Sequence, residues 1–198
     1  MARTQQQRRE DTIARLLDAS IATIIEVGYA RASAKVIAQR AEVSDGALFR
    51  HFPTMSDFMA ATAEEAGRRL IELGLRKVAE IPGGKPTLEQ ALTILRDVTV
   101  DPTNTVMYEL AVAARTDEKL RDTLRDVMTL YIKTIQETVR PSLPEEFEAA
   151  GDAEFLARLA LVLSSFNGAA LFGHVLTEPG FGEAQIPLLM RLLNAARP

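Results

Sequence analysis

Residues 33–55 read SAKVIAQRAEVSDGALFRHFPTM, and the spacing in this stretch predicts two short helices joined by a tight connection. Ser33 has a hydroxyl placed to cap a helix running to about Ala41, and Ser44 to cap a second. The second ends at His51, because Pro53 disfavours helical geometry at Phe52. Val36, Ile37 and Ala41 on the first helix, Val43 in the connection, and Ala47, Leu48 and Phe52 on and after the second supply a small shared core. The connection Glu42-Val43-Ser44 is three residues long. Two short helices locked at a steep angle in this way form a helix-turn-helix, whose second helix presents its N-terminal half to the major groove of DNA. Asp45, Gly46 and Ala47 are small enough there for backbone and base edges to approach. The free N–H groups of the helix start also suit a phosphate.

Working outward, the rest of the chain also reads as helix. Ile13, Leu16, Leu17, Ile21, Ile24 and Ile25 recur at helical spacing from about Arg8 to Val27, and Gly28 is a natural stop. Thr54 and Asp57 have the capping-box spacing and open a long helix from Met55 to about Ile81. Pro82, Gly83, Gly84 and Pro86 make the clearest loop. Thr87 caps a helix to about Val100, Asn104 to Arg115 follows, and Asp117 caps a long helix to Arg140, closed by Pro141 and Pro144. Two more run from Asp152 to Leu176 and from about Ala184 to Ala196. No segment alternates with period two. The expectation is an all-α protein of about nine helices, with an N-terminal three-helix unit over residues 1–54 and a larger helical domain over 55–198.

The run Gly28-Tyr29, ASAKVIAQRA and VSDGALFRHFPT resembles the DNA-binding domain of TetR-family transcriptional regulators over about residues 10 to 60. That resemblance implies a DNA-binding domain followed by a helical ligand-binding and dimerisation domain, in a repressor released from a palindromic operator by a small molecule. It implies DNA contacts from Ser33, Lys35, Ser44, Asp45, Gly46, Ala47, Phe49, Arg50 and His51. The chain departs from the family pattern at three positions. Glu42 stands where Gly is frequent, and a left-handed backbone there costs a non-glycine residue about 1 kcal/mol or so. Phe49 stands where Tyr is frequent, which removes a hydroxyl contact to phosphate. Met55 stands where Lys is usual, which removes a charge. Asp45 either accepts from a cytosine amino group or favours the helix N-terminus electrostatically, and the second reading is preferred. His51 is read as a phosphate contact in preference to a wall of the core.

Across its 198 residues the chain has a net charge of −4, 47% hydrophobic and 25% charged residues, no Cys and two His. The absence of cysteine removes disulfides, thiolate metal sites and thiol nucleophiles. Two distant histidines leave no basis for a catalytic triad or a metal site, so no enzyme activity, cofactor or metal is expected. The rival class, an all-α enzyme, has only scattered carboxylates in its favour. The acidity is uneven. Residues 1–58 carry a net +1 and the remainder a net −5, while the first nine residues carry +3 and read as a flexible basic arm.

Leu159 to Thr177 has no formal charge over 19 residues, about the length of a membrane span. Its Ser, Asn and Gly content favours a soluble helix buried over most of its circumference, and no export signal is read, so a cytoplasmic protein without membrane contact is expected. His174 is read as a satisfied core or interface histidine. Met107, Tyr108, Met128 and Tyr131, with Phe166 and Asn167 opposite, are the candidate pocket for an effector that is largely apolar. Leu161, Ser164, Gly168 and Leu171, with Leu189, Leu192 and Leu193, are the candidate homodimer face. A regulator controlled by a protein partner, without a ligand, is the alternative.

Overall fold

The computed structural model describes residues 4–148, 151–173, 175–176, 182 and 184–195. Among these residues there are nine α-helices of seven residues or more, one single α-helical turn and three short 3-10 or π segments, with no strand. The helices are α1 (Gln5–Val27), α2 (Ala34–Arg40), α3 (Asp45–His51), α4 (Met55–Ala79), α5 (Leu88–Val100), α6 (Asn104–Ala113), α7 (Glu118–Thr134), the turn α8 (Glu145–Glu148), α9 (Asp152–Phe172) and α10 (Gln185–Ala195).

The chain forms two compact units, Met1–Arg69 with Pro102–Tyr131, and Leu70–Asp101 with Ile132–Pro198. The first therefore joins α1, α2, α3 and the N-terminal part of α4 to α6 and most of α7. A cut of the sequence at residue 54 describes the helix-turn-helix itself, whereas compactness groups it with helices from further along the chain.

α1 starts three residues earlier than the apolar periodicity indicates. Thr4 accepts from the Gln7 N–H while the Gln7 side chain accepts from the Thr4 N–H, a complete capping box. Gln5 to Arg9, read as part of a flexible arm, are thus the opening turns of α1, and residues 1–3 lie outside the described residues. α1 ends at Gly28, whose φ of +81° is a conformation glycine adopts without a Cβ penalty. Its N–H donates to the Ile24 carbonyl at 2.9 Å. Between α1 and α4 the Thr62 hydroxyl lies 2.9 Å from that of Ser20 and 2.8 Å from the Phe58 carbonyl. Both side chains are fully buried, so the pair satisfies polar groups that would otherwise cost stability.

The turn after α2 explains how a three-residue connection closes without glycine. The Val43 N–H donates to the Ala38 carbonyl at 3.0 Å and the Glu42 N–H to the Gln39 carbonyl at 3.1 Å. These are the paired bonds of a Schellman motif, with Glu42 in the left-handed position at φ +55°. Val43, the next residue, packs against the core, as the motif's hydrophobic contact requires.

In the second unit α9 buries Phe155, Leu159, Val162 and Phe166 along one stripe. α5 and α10 cover that stripe, and the single turn α8 also touches it. Only 22% of the most apolar window of α9 is buried, which corrects the expectation of burial over most of its circumference. Its opposite face, with Ala157, Ala160, Leu161, Ser164 and Leu171, is exposed. α10 buries Ile186, Leu189 and Leu193 and exposes Leu188 and Leu192. Leu189 and Leu193, expected on the pairing face, instead belong to this unit's own core. The helix-lengths also differ at one place: α7 loses regular geometry at Thr134, continuing as a π turn over Ile135–Val139 and a 3-10 turn over Arg140–Ser142. Pro141 cannot prolong an α-helix from within.

Replacing Glu42 by Gly removes the left-handed strain, about 1–2 kcal/mol, against about 0.4–1 kcal/mol of added unfolded-state entropy. Urea unfolding of Glu42→Gly should therefore show a net gain of about 0.5–1 kcal/mol with an unchanged slope. A loss of stability would contradict this account of the turn.

Candidate functional site

The hydroxyls of Ser33 and Ser44 cap α2 and α3, accepting from the N–H groups of Val36 at 3.4 Å and Ala47 at 3.2 Å. Ile37, Ala38 and Leu48 are wholly buried between these helices and the rest of the unit. Phe52 closes the arrangement against Phe58 of α4, with ring centroids 4.8 Å apart. Thr54 and Asp57 then cap α4: the Asp57 N–H donates to the Thr54 hydroxyl, and the Thr54 N–H and hydroxyl donate to the Asp57 carboxylate.

This packing fixes which side chains remain outside. Ser33, Lys35, Ser44, Asp45, Gly46, Phe49 and Arg50 are exposed, and Ala47 and His51 are half-buried. No atom lies within 4 Å of a Cβ built on Gly46, so the start of α3 is open to an approaching surface. Val36, assigned to the small core by its position in the sequence, is 43% exposed and stands outside it. Met55 packs partly buried against the core, which gives an apolar reason for that residue at the start of α4.

His51 shows what sequence reasoning missed. Burial is the main cause holding its imidazole below the usual histidine range, with the positive charges of Arg9 and Arg50 adding to it. Arg9 therefore acts on the end of α3 from the second turn of α1. The apolar periodicity already places Arg9 at the start of α1, and the capping box at Thr4 and Gln7 adds the turn before it that sets Arg9 firmly within the helix. Arg40, by contrast, is held by Glu26 of α1 at 2.5 Å.

A cavity of about 300 Å³ opens in the same unit between α4, α6 and α7. Ala63 of α4, Met107, Leu110 and Ala111 of α6, and Ala114 just after it form one side. Arg121, Leu124, Arg125 and Met128 of α7 form the other. Of the candidate pocket residues the structure brings Met107 and Met128 to this cavity. Tyr108, on α6, is not in its wall: its hydroxyl accepts from Asn104 at 2.8 Å, and burial pushes its pKa up to about 12. Tyr131 packs on Gly67 of α4, where an added Cβ would lie 3.0 Å from the ring, and burial raises its pKa. Phe166 is buried within the second unit, and Asn167 lies half-buried beside it on α9. His174 lies outside the described residues. No cluster of three potential metal ligands occurs among the described residues.

Leu110, Ala114 and Leu124 are wall residues of the cavity and also members of one continuous core with Leu48, Ile37, Leu16 and Phe58. A second link runs through polar atoms. The backbone N–H of Tyr29, just after α1, donates to the Glu109 carboxylate of α6 at 3.1 Å. Gly28 leaves room for that carboxylate, whose oxygens come within 3.8 Å of the position a Cβ would take.

The helix-turn-helix geometry has counterparts in known proteins. Residues 16–62 match the family model for bacterial regulatory proteins of the tetR family. The HTH-type transcriptional regulator Rv2912c of Mycobacterium tuberculosis is 57% identical over 98% of this chain and 99% of its own length. The chain belongs to the TetR family. It is a DNA-binding transcriptional regulator, as its relatives are.

The TetR architecture extends over both units. A transcriptional regulator from Rhodococcus sp. Rha1, 25% identical, superposes with a TM-score of 0.65 over 92% of this chain and 96% of its own. FadR from Bacillus subtilis, solved in complex with stearoyl-CoA, is 16% identical and shares the fold, with a TM-score of 0.59 over 93% of this chain and 99% of that one.

In this TetR-family chain the bond between Glu109 and Tyr29 ties α6 to the end of α1. Glu109→Ala leaves a half-buried N–H without its charged acceptor, a change that costs about 1–3 kcal/mol. Urea denaturation should show this loss, while Glu109→Gln, which keeps an acceptor, should recover part of it. Wild-type stability in Glu109→Ala would mean that the bond contributes nothing to holding the two helices.

Proposed function

We propose that the chain is a repressor that binds a palindromic operator as a homodimer and is released by a small, largely apolar effector held between α6 and α7. The single observation that supports this reading best is the shared core. Leu110, Ala114 and Leu124 line the cavity on one side and pack with the helix-turn-helix core on the other. Close-packed interiors transmit displacement instead of absorbing it. A ligand that spreads α6 from α7 therefore shifts the support beneath α1 and α3, and DNA and effector weaken each other reciprocally. α4 also participates through Ala63 in the cavity wall and Phe58 and Met59 in the core.

In this reading residues 1–54 form the DNA-binding part, with Ser33, Lys35, Ser44, Asp45, Gly46, Ala47, Phe49, Arg50 and His51 at the DNA. Residues 55–198 hold the effector and the dimer contacts. Lys35, Arg50 and Arg9 supply the charge for phosphate anchoring, while Phe49 offers apolar contact where a hydroxyl is absent. Exposed Leu161, Ser164 and Leu171 on α9, with the half-buried Gly168 among them and exposed Leu188 and Leu192 on α10, suit pairing with a second copy. A repressor of this kind acts in the cytoplasm. The ligand-bound FadR structure adds support by fold alone, and a cavity with apolar walls favours a small-molecule signal over control by a protein partner.

Selection of bound sequences from random DNA should yield a two-fold symmetric site. On that site Lys35→Ala and Arg50→Ala should weaken binding without unfolding the protein. Each variant should also lower the slope of log affinity against log salt by about one for each lost phosphate contact. Normal binding by both variants would remove them from the interface.

His51 gives a pH test. In the free protein its pKa lies below the ordinary value, chiefly through burial and then through Arg9 and Arg50, so the imidazole is neutral at pH 7. Its contribution to folding stability is complete above the unfolded-state value and is lost as pH falls through the folded one. A phosphate beside the ring favours its charged form, so the complex takes up protons. Operator affinity should strengthen as pH falls from about 7.5 to about 6, and His51→Gln should remove that part of the dependence. A pH profile identical to wild type in His51→Gln would take His51 off the phosphate.

A further inference from the structure

The cavity between α6 and α7 has an asymmetric wall. Ala63, Met107, Leu110, Ala114, Leu124 and Met128 are apolar, and the charged groups in the wall are two guanidiniums, Arg121 and Arg125. Among the described residues no carboxylate lines it. The two arginines are four residues apart on α7, which places them on one face of the helix, one turn above the other.

Their existing partners leave both available. Arg121 donates from Nη1 to the carbonyl of Ala114 at 3.2 Å, which holds it at the rim beside a wall residue. Its carboxylate neighbour Glu118 is 3.9 Å away and largely solvent-exposed. Arg125 pairs with Asp122 at 3.1 Å, and both side chains are more than half exposed. Exposed pairs of this kind contribute little and exchange readily, whereas a guanidinium presents a fork that matches a planar anion. A cationic ligand would meet two positive charges and no acidic partner in the wall. The cavity volume of about 300 Å³ is at the small end for ligand clefts, so the apolar part is compact. Met107 and Met128 line it with flexible thioethers that adapt to shape.

We infer that the effector is a compact amphiphilic anion, with its apolar body between α6 and α7 and its anionic head on Arg121 and Arg125. This inference rests on the reading of the cavity as the effector site, and it adds the chemical class of the ligand.

Calorimetric titration of the full-length protein with a matched series tests it: decanoate, 1-decanol and decylamine. Decanoate should bind about tenfold tighter than 1-decanol, the difference coming from the charge-assisted bonds, and decylamine should bind weakest. In the double variant Arg121→Gln and Arg125→Gln, decanoate should fall to the level of 1-decanol, with 1-decanol unchanged. Arg115→Gln, outside the cavity wall, should keep the wild-type order, and Met107→Trp, which fills the cavity, should weaken both ligands. Equal affinity for the three compounds would overturn the anionic class while leaving an apolar cavity in place. A preference for decanoate that survives in the double variant would overturn the assignment to these two arginines. Failure of all three to bind would overturn the inference together with the cavity as a ligand site. Decanoate that binds with this pattern but leaves operator affinity unchanged would support the ligand class and remove the effector role instead.

Discussion

The structure of the first unit depends on one continuous apolar core. Leu48 of the recognition helix and Leu124 of α7 are far apart in sequence, yet they belong to a single packed cluster that runs through Leu16, Phe58 and Leu110. At interior packing densities a side chain cannot move without displacing its neighbours. The helix-turn-helix is too small to bury a sufficient core alone, and the stability it borrows from α6 and α7 makes it responsive to what happens there. In the proposed mechanism the same packing serves as foundation and as transmission. The hydrogen bond from the Tyr29 N–H to Glu109 adds direction to it, because an ion-assisted bond is sensitive to small shifts in a way that apolar contact is not.

The turn between α2 and α3 shows how local chemistry sets this arrangement. A Schellman closure satisfies the carbonyls at the end of α2 and points Val43 into the core. It needs one left-handed residue, and here that residue is Glu42. The strain is tolerated because the two turn hydrogen bonds, the Ser44 cap and the burial of Val43 and Leu48 over-determine the geometry. Helix α3 can then be short, since its first turn is capped by Ser44 and its last is held by Phe52 on Phe58.

Most of this was legible in the sequence because it is local. Hydroxyl caps, proline stops and apolar periodicity act over a few residues, and Ser33, Ser44, Gly28, Thr54 and Thr87 all stand where those rules place them. The start of α1 escaped because its signal is polar. Thr4 and Gln7 cap the helix before any apolar residue announces it. The cavity was only half legible for a different reason. Met107 and Tyr108 are adjacent, and nothing in their spacing says which faces α7. Asn104 one turn away claims the tyrosine hydroxyl, and Gly67 on another helix makes room for Tyr131. The first is a local contact within α6 that residue type alone does not signal, and the second depends on how helices cross, which composition does not encode. α10 poses the same difficulty more sharply. Leu188, Leu189, Leu192 and Leu193 are chemically identical, so helix rotation alone divides them into a buried pair and an exposed pair.

The charge distribution follows from this division of labour. A net −4 would oppose nucleic acid if it were spread evenly, but the first 58 residues carry +1. Within them the cations are not equivalent. Arg40 is committed to Glu26, which braces α2 against α1, and beyond this segment Arg69 of α4 pairs with Asp18 of α1. Arg9 and Arg50 instead bear on His51 from two different helices. Burial is the main cause holding that imidazole below the usual histidine range, and their positive charges add to it. A weakly charged surface of this kind gives modest non-specific attraction, because few counterions are released. In the proposed reading, discrimination between DNA sequences comes from the open start of α3 and from the spacing of two such helices in a dimer, and the first of these depends on the core beneath it.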